Sequence, residues 1–227
     1  MKSIFNLTLL IIFSLYSCEK QDHKAEKIAK YFNSHIHKDN LVAELDFSLS
    51  DSLLFVNDIE EKIKVDLCKS PTLTGKFHLK NTEFKLPIFV LKNCQKDYDI
   101  DTGVIHINII ENDSVIIFSK KISNDIKNEI VRETKELING KDRKSLVYLI
   151  TWKNGLDSVQ IKQRFYEILE GIYEYADEQS LKIYKKHISE LSSKELLELN
   201  EEFVGHLSFI DYFEPVPIPP PPPPEKH

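Results

Sequence analysis

The sequence predicts an α+β protein: a β-rich N-terminal region, then a compact ββαβααβ domain, then a polyproline tail. Three observations carry this. Apolar and polar residues alternate with period two in several stretches between 41 and 118, the pattern of half-buried strands. Beyond residue 123, apolar residues recur every three or four positions, as on the buried face of a helix. Eight of the ten prolines fall between Pro215 and Pro224, where no packed core can form. With 41% hydrophobic and 29% charged residues, the 227-residue chain has a globular composition. The net charge of −6 and the absence of a basic stripe give no reason to expect nucleic acid as a partner.

The chain opens as an export signal. Met1-Lys2 is a short positive region, and Ile4 to Tyr16 is an apolar run too short for a comfortable membrane span. Leu15-Tyr16-Ser17-Cys18 resembles the box read by the lipoprotein signal peptidase, with Tyr16 where a small residue is usual. Residues 1–17 are therefore expected to be a lipoprotein signal peptide, with Cys18 lipidated and the remainder held outside the cytoplasm in the cell envelope, on the periplasmic or surface side. Two cysteines remain, Cys68 and Cys94. In an oxidising compartment they are natural disulfide partners; the alternative is a pair of buried thiols that do not meet.

Residues 18–40 read as a polar linker with a short helix carrying Ala25, Ile28, Ala29 and Phe32 on one face. Residues 41–102 read as the β-rich region. Leu45, Phe47 and Leu49 alternate with polar residues, Asp51-Ser52 is a turn, and Leu53 to Val56 returns as a strand. Ile63, Val65 and Leu67 alternate again, and Phe84 to Leu91 is an apolar strand whose Pro87 implies an edge or a bulge. Residues 103–213 form the ββαβααβ domain. It comprises a hairpin of Ile105–Ile109 with Val115–Phe118, a helix from Ser123 or Asn124 to Asn139-Gly140, and an apolar strand Leu146–Trp152. Asp157 starts a long helix with Ile161, Phe165, Ile168, Ile172 and Ala176 on one face, and the pattern continues through Ile183, Tyr184, Ile188 and Leu191. Ser192 and Glu195 make a capping box for the next helix, and Leu207–Tyr212 is the last strand. Residues 214–227 are the Pro-rich tail, either a solvated spacer or a ligand for an aromatic groove.

Chemistry-bearing motifs are sparse. His35 and His37, with Asp39 nearby, offer two metal ligands, fewer than the three or four a zinc site uses. His106, His187 and His206 stand alone in the sequence, and Trp152 reads as a core or rim aromatic. Glu60-Glu61 and Glu201-Glu202 read as solvated charge. The six scattered glycines do not build a phosphate cradle, and no nucleophile elbow or zinc-protease motif is present. The reading is of a non-enzymatic protein without a metal or other cofactor. A ligand-binding or hydrolytic lipoprotein is the alternative, with a pocket gathering several of His35, His37, His78 and His106. A structural spacer lipoprotein is a third reading.

Residues 103–216 resemble the periplasmic domain of the ExbD/TolR family of biopolymer-transport accessory proteins. The likeness lies in the strand and helix order, in Gly103 to Ile109 with its turn and return strand, in Tyr166 to Ala176, and in Leu191 to Phe203 ahead of the strand ending Phe213 to Val216. It implies a protein partner in a TonB- or Tol-type transport or envelope-integrity system, and a homodimer. Family members carry an essential aspartate in one transmembrane helix. Ile4 to Tyr16 holds no acidic residue, so nothing in that segment binds a proton.

Overall fold

The computed structural model describes residues 23–36, 40–49, 52–69, 72–92, 103–111, 113–141, 145–153, 155–202 and 204–210. The expected signal peptide, Cys18, His37, Asp39, Cys94 and the Pro-rich tail lie outside the described residues. In chain order the elements are α1 (23–33), β1 (Val42–Glu44), α2 (Ser52–Ile63), β2 (Thr72–Leu79), β3 (Thr82–Leu91), β4 (Gly103–Glu111), β5 (Ser114–Ile117) and β6 (Lys120–Ile122). There follow α3 (Ile126–Lys141), β7 (Ser145–Trp152), α4 (Ser158–Tyr184), a 3-10 turn (Ile188–Glu190), α5 (Ser193–Glu202) and β8 (Val204–Ile210). The expected α+β class holds.

All eight strands lie in one mixed sheet, in the order β1-β2-β3-β8-β7-β4-β5-β6. Strands β3, β8, β7 and β4 run parallel; β1 and β2 run the other way. Parallel pairing of Ile88 with Leu207 and of Val90 with Phe209 joins the N-terminal strands to the C-terminal half.

Chain handedness explains where the helices go. The steps from β4 to β7 and from β7 to β8 move in one direction along the sheet, so right-handed crossovers put α3 and α4 on the same face. The step from β1 through α2 to β2 moves oppositely on strands that run oppositely. That is the same arrangement turned by half a rotation, so α2 joins that face too. Side-chain contacts agree: Thr134 Oγ1 on α3 is 2.9 Å from the Tyr148 hydroxyl on β7. Phe55 on α2 meets the rings of Trp152 at 4.8 Å and Phe209 at 4.9 Å, and Phe165 on α4 meets Phe77 at 5.4 Å. Helix α1 lies beside α4, with Tyr31 against Tyr173 at 5.7 Å and Lys24 paired with Glu170.

The helix starts follow local chemistry. Asp157 sits in extended conformation and accepts a hydrogen bond from the Val159 N–H at 2.6 Å, an N-cap for α4. At α5, Ser192 Oγ accepts from the Glu195 N–H at 3.3 Å while the Glu195 carboxylate accepts from the Ser192 N–H at 2.8 Å, the capping box expected from sequence. Lys186 lies 2.7 Å from that carboxylate, and its hydrogen bond, with those of Ser192, holds the Glu195 pKa down at about 2. Helix α4 ends at Lys185 in the left-handed region, so the apolar pattern through Ile188 and Leu191 does not continue one helix.

Several sequence expectations are corrected. Residues 52–63 are helix where Leu53–Val56 reads as a strand. Phe55, Val56 and Ile59 are buried, with Ile63 partly so, a helical spacing hidden inside a run of four apolar residues that either structure accommodates. The Asp58–Lys62 ion pair at 2.7 Å spans one helical turn. The expected strand at Ile63–Leu67 is absent, because Lys64 adopts φ 53° and closes α2 by donating to the Glu60 carbonyl. The Leu45 N–H still donates to the Lys76 carbonyl of β2 at 2.7 Å, but Asp46–Leu49 leaves the sheet: Asp46 Oδ1 accepts from the Ser48 N–H and hydroxyl, bending the backbone away from the ladder. The second half reads βββαβααβ, since Lys120–Ile122 adds a strand too short and polar to show alternation. Helix α3 continues through Asn139-Gly140 to Lys141. Pro87 lies in an interior strand, one residue ahead of the point where β3 begins to pair with β8. On the edge of β3 that β8 has not yet reached, the Lys85 N–H donates to Asn33 Oδ1 of α1 at 3.1 Å.

Helices α3 and α4 cross closely at Gly171. A Cβ there would lie 2.7 Å from Ile130 Cβ and 2.8 Å from the Lys127 carbonyl oxygen, neither at the end of a flexible side chain. Gly171→Val is expected to lower stability by about 1–3 kcal/mol through overpacking. Urea unfolding checks this, and an unchanged midpoint contradicts so close a crossing.

Candidate functional site

Strand periodicity leaves one sheet face without those helices. In β4, Ile105, Ile107 and Ile109 point into the core, while His106 and Asn108 are exposed on the other side. Register carries that outer face across to Leu149 and Thr151 of β7, Ser208 of β8 and Ile116 of β5. None of α1, α2, α3 or α4 packs there. A cleft of roughly 370 Å³ opens on this face, lined by His106, Asn108, Ile116, Phe118, Leu149 and Thr151.

Phe118 is the unusual member. It begins the two-residue turn between β5 and β6, stays 41% exposed, and holds φ at 53°. The left-handed region is unfavourable for a bulky side chain by about 1–2 kcal/mol. The Phe118 N–H donates to the His106 carbonyl at 3.0 Å, which fixes the turn against β4. A strained, half-exposed ring beside Ile116 and Leu149 is a feature the core does not require. Beside this cleft Ser208 is fully buried, and its hydroxyl has no hydrogen-bond partner among the described residues.

No family model, curated protein or solved structure matches the chain. The cleft's meaning therefore rests on its own chemistry. It offers donors from His106, Asn108 and Thr151, an apolar floor, and no lining acid.

The residues singled out from sequence are dispersed. His78 and His106 lie on the same sheet with three strands between them, so the described residues do not gather the expected histidine pocket. His78 instead sits 3.5 Å from Glu83 across the β2–β3 hairpin. His187 is 2.7 Å from Asp177, which raises its pKa; the other Asp177 oxygen accepts from the Ile188 N–H. Glu60 accepts from the Leu67 N–H and pairs with Lys92, so it pins a corner instead of standing as solvated charge. Trp152 is buried in the core, and its indole N–H donates to the Leu49 carbonyl at 3.3 Å. Cys68 is disulfide-bonded, with its partner outside the described residues. Among the described residues, no group of three or more His, Cys, Asp or Glu is placed to hold a metal.

His35 meets two neighbours that sequence distance conceals. Its Nδ1 is 2.9 Å from the Tyr31 carbonyl, and Asn200 and His206 lie close enough to influence its titration. Burial pushes the His35 pKa down, and burial also lowers those of His106 and His206. These three rings favour the neutral form in the folded protein. As pH falls through the ordinary histidine value near 6.5, the unfolded chain takes up protons first, so stability falls. His187 works oppositely: its contribution is complete below 6.5 and is lost as pH rises through its raised value. The expected result is a urea midpoint that declines from pH 7.5 to 5.5. His35→Gln is expected to shallow that decline, and an identical slope in the variant contradicts the burial argument.

Proposed function

We propose that this chain is a non-enzymatic cell-envelope lipoprotein that binds a protein partner through the sheet face around Phe118. The observation that supports this most directly is the strained, half-exposed Phe118 beside Ile116 and Leu149 on a face without core helices. A polar-rimmed apolar patch with an aromatic at its centre suits the burial of a partner's side chains. The anchor in this reading is lipid on Cys18 after removal of residues 1–17. The resemblance of residues 103–216 to the ExbD/TolR periplasmic domain favours a partner from a TonB- or Tol-type transport or envelope-integrity system. With no acidic residue in Ile4 to Tyr16, the proposed role is binding and not proton coupling.

Two experiments test this reading. Cells fed a radioactive fatty acid are expected to label the wild-type protein and not Cys18→Ala; equal labelling contradicts the anchor. Capture of the lipidated protein from detergent-solubilised membranes is expected to recover a motor or transducer component, and Phe118→Glu to lose it. Recovery of neither component after crosslinking contradicts the partner class.

A further inference from the structure

We infer that the cleft around Phe118 is occupied in the resting protein by the chain's own Pro-rich tail, Pro215 to Pro224, which a partner must displace. This rests on the reading of that face as a docking surface and names its regulation.

The first support is where the described chain ends. Strand β8 stands in the interior of the sheet, and Ile210 lies one residue beyond Phe209, which pairs with Ile150 of β7. From β8 across β7 to β4 is two strand spacings, and to β5 three, or about 10 and 14 Å. Asp211 to Glu214 supply four residues, which span roughly 13 Å when extended. Pro215 can therefore start over β4, and the ten residues from Pro215 to Pro224 cover about 31 Å as a polyproline II helix. A tether this short places the tail at millimolar effective concentration over the cleft.

The second support is chemical fit. A polyproline II segment makes no internal hydrogen bonds, so its carbonyls face outward as acceptors, and its prolines bring no N–H donors. The surface it suits presents an aromatic ring, apolar floor and donors. The cleft presents the Phe118 ring, Ile116 and Leu149, with donors from His106, Asn108 and Thr151. Val216 and Ile218, alternating with prolines, supply the apolar side chains.

Disulfide trapping in the full, membrane-anchored protein tests the assignment. The double variant Asn108→Cys with Ile218→Cys is expected to form an intramolecular bond at least tenfold faster than His78→Cys with Ile218→Cys, which probes a distant exposed site on the same sheet. Adding Phe118→Gly is expected to abolish that advantage, and glycine accepts φ 53° without strain, so loss of folding does not confuse the result. Equal rates for the two pairs, an advantage untouched by Phe118→Gly, or a bond formed only between two copies overturns the proposal. In each of these cases Phe118-dependent capture of a partner would still stand, so the failure of the tail is distinguishable from failure of the docking surface.

Discussion

Replacing Phe165 with alanine is expected to remove about 3–5 kcal/mol of stability, the cost of deleting a fully buried aromatic side chain and leaving a cavity. The ring is held by Phe47 at 5.2 Å, Phe77 at 5.4 Å and Phe209 at 5.9 Å. Two of these come from the N-terminal half and one from β8, so the residue joins halves that sequence periodicity treats separately. A domain is usually stable by only about 5–15 kcal/mol, so this single change uses a large part of the margin. Because the core is shared, helix content by circular dichroism and Trp152 fluorescence should report one coincident urea transition in wild type and variant. Two separated transitions would show that the halves unfold independently.

The second large effect concerns Cys68. Lys92 at the exit of β3 pairs with Glu60, and the Leu67 N–H donates to the other Glu60 oxygen at 3.0 Å. One carboxylate thus holds residue 92 beside residue 67, and Cys94 follows two positions after the first as Cys68 follows one after the second. We propose Cys94 as the disulfide partner of Cys68. Closing a loop of this length stabilises a fold by about 3 kcal/mol on the chain-entropy model. Cys94→Ser is therefore expected to expose a reactive Cys68 thiol and lower the urea midpoint by that amount. Peptide mapping under non-reducing conditions provides the check; a linked Cys68–Cys94 peptide is expected, and a free Cys94 thiol in native protein contradicts it.

Long periodic elements were the most legible parts of the sequence. Helix α4, with its Asp157 cap, strand β7 and the Ser192–Glu195 capping box all stand where local pattern puts them, because their signals repeat over many residues or require specific side chains. Helix α2 was hidden because Leu53 to Val56 satisfies both periods, and only burial of Ile59 decides between them. The sheet order was not readable: insertion of β8 between β3 and β7 is a long-range pairing that no local window records. The candidate site was missed for the same reason. Phe118 reads as the last apolar residue of a strand, and its exposure depends on the tight turn to β6 and on all major helices choosing the opposite face. The sequence hint was a run of apolar residues, Val115 to Phe118, longer than a one-sided strand needs.

The docking reading is tested most directly by a photoreactive phenylalanine analogue placed at Phe118, compared with one at Glu178 on the helix side, in intact membranes. Adducts to a transport or envelope-integrity component are predicted from position 118 and not from position 178, increasing when Pro215 to His227 are deleted. Equal capture at both positions, or none at 118 with the tail removed, would contradict a partner-binding face.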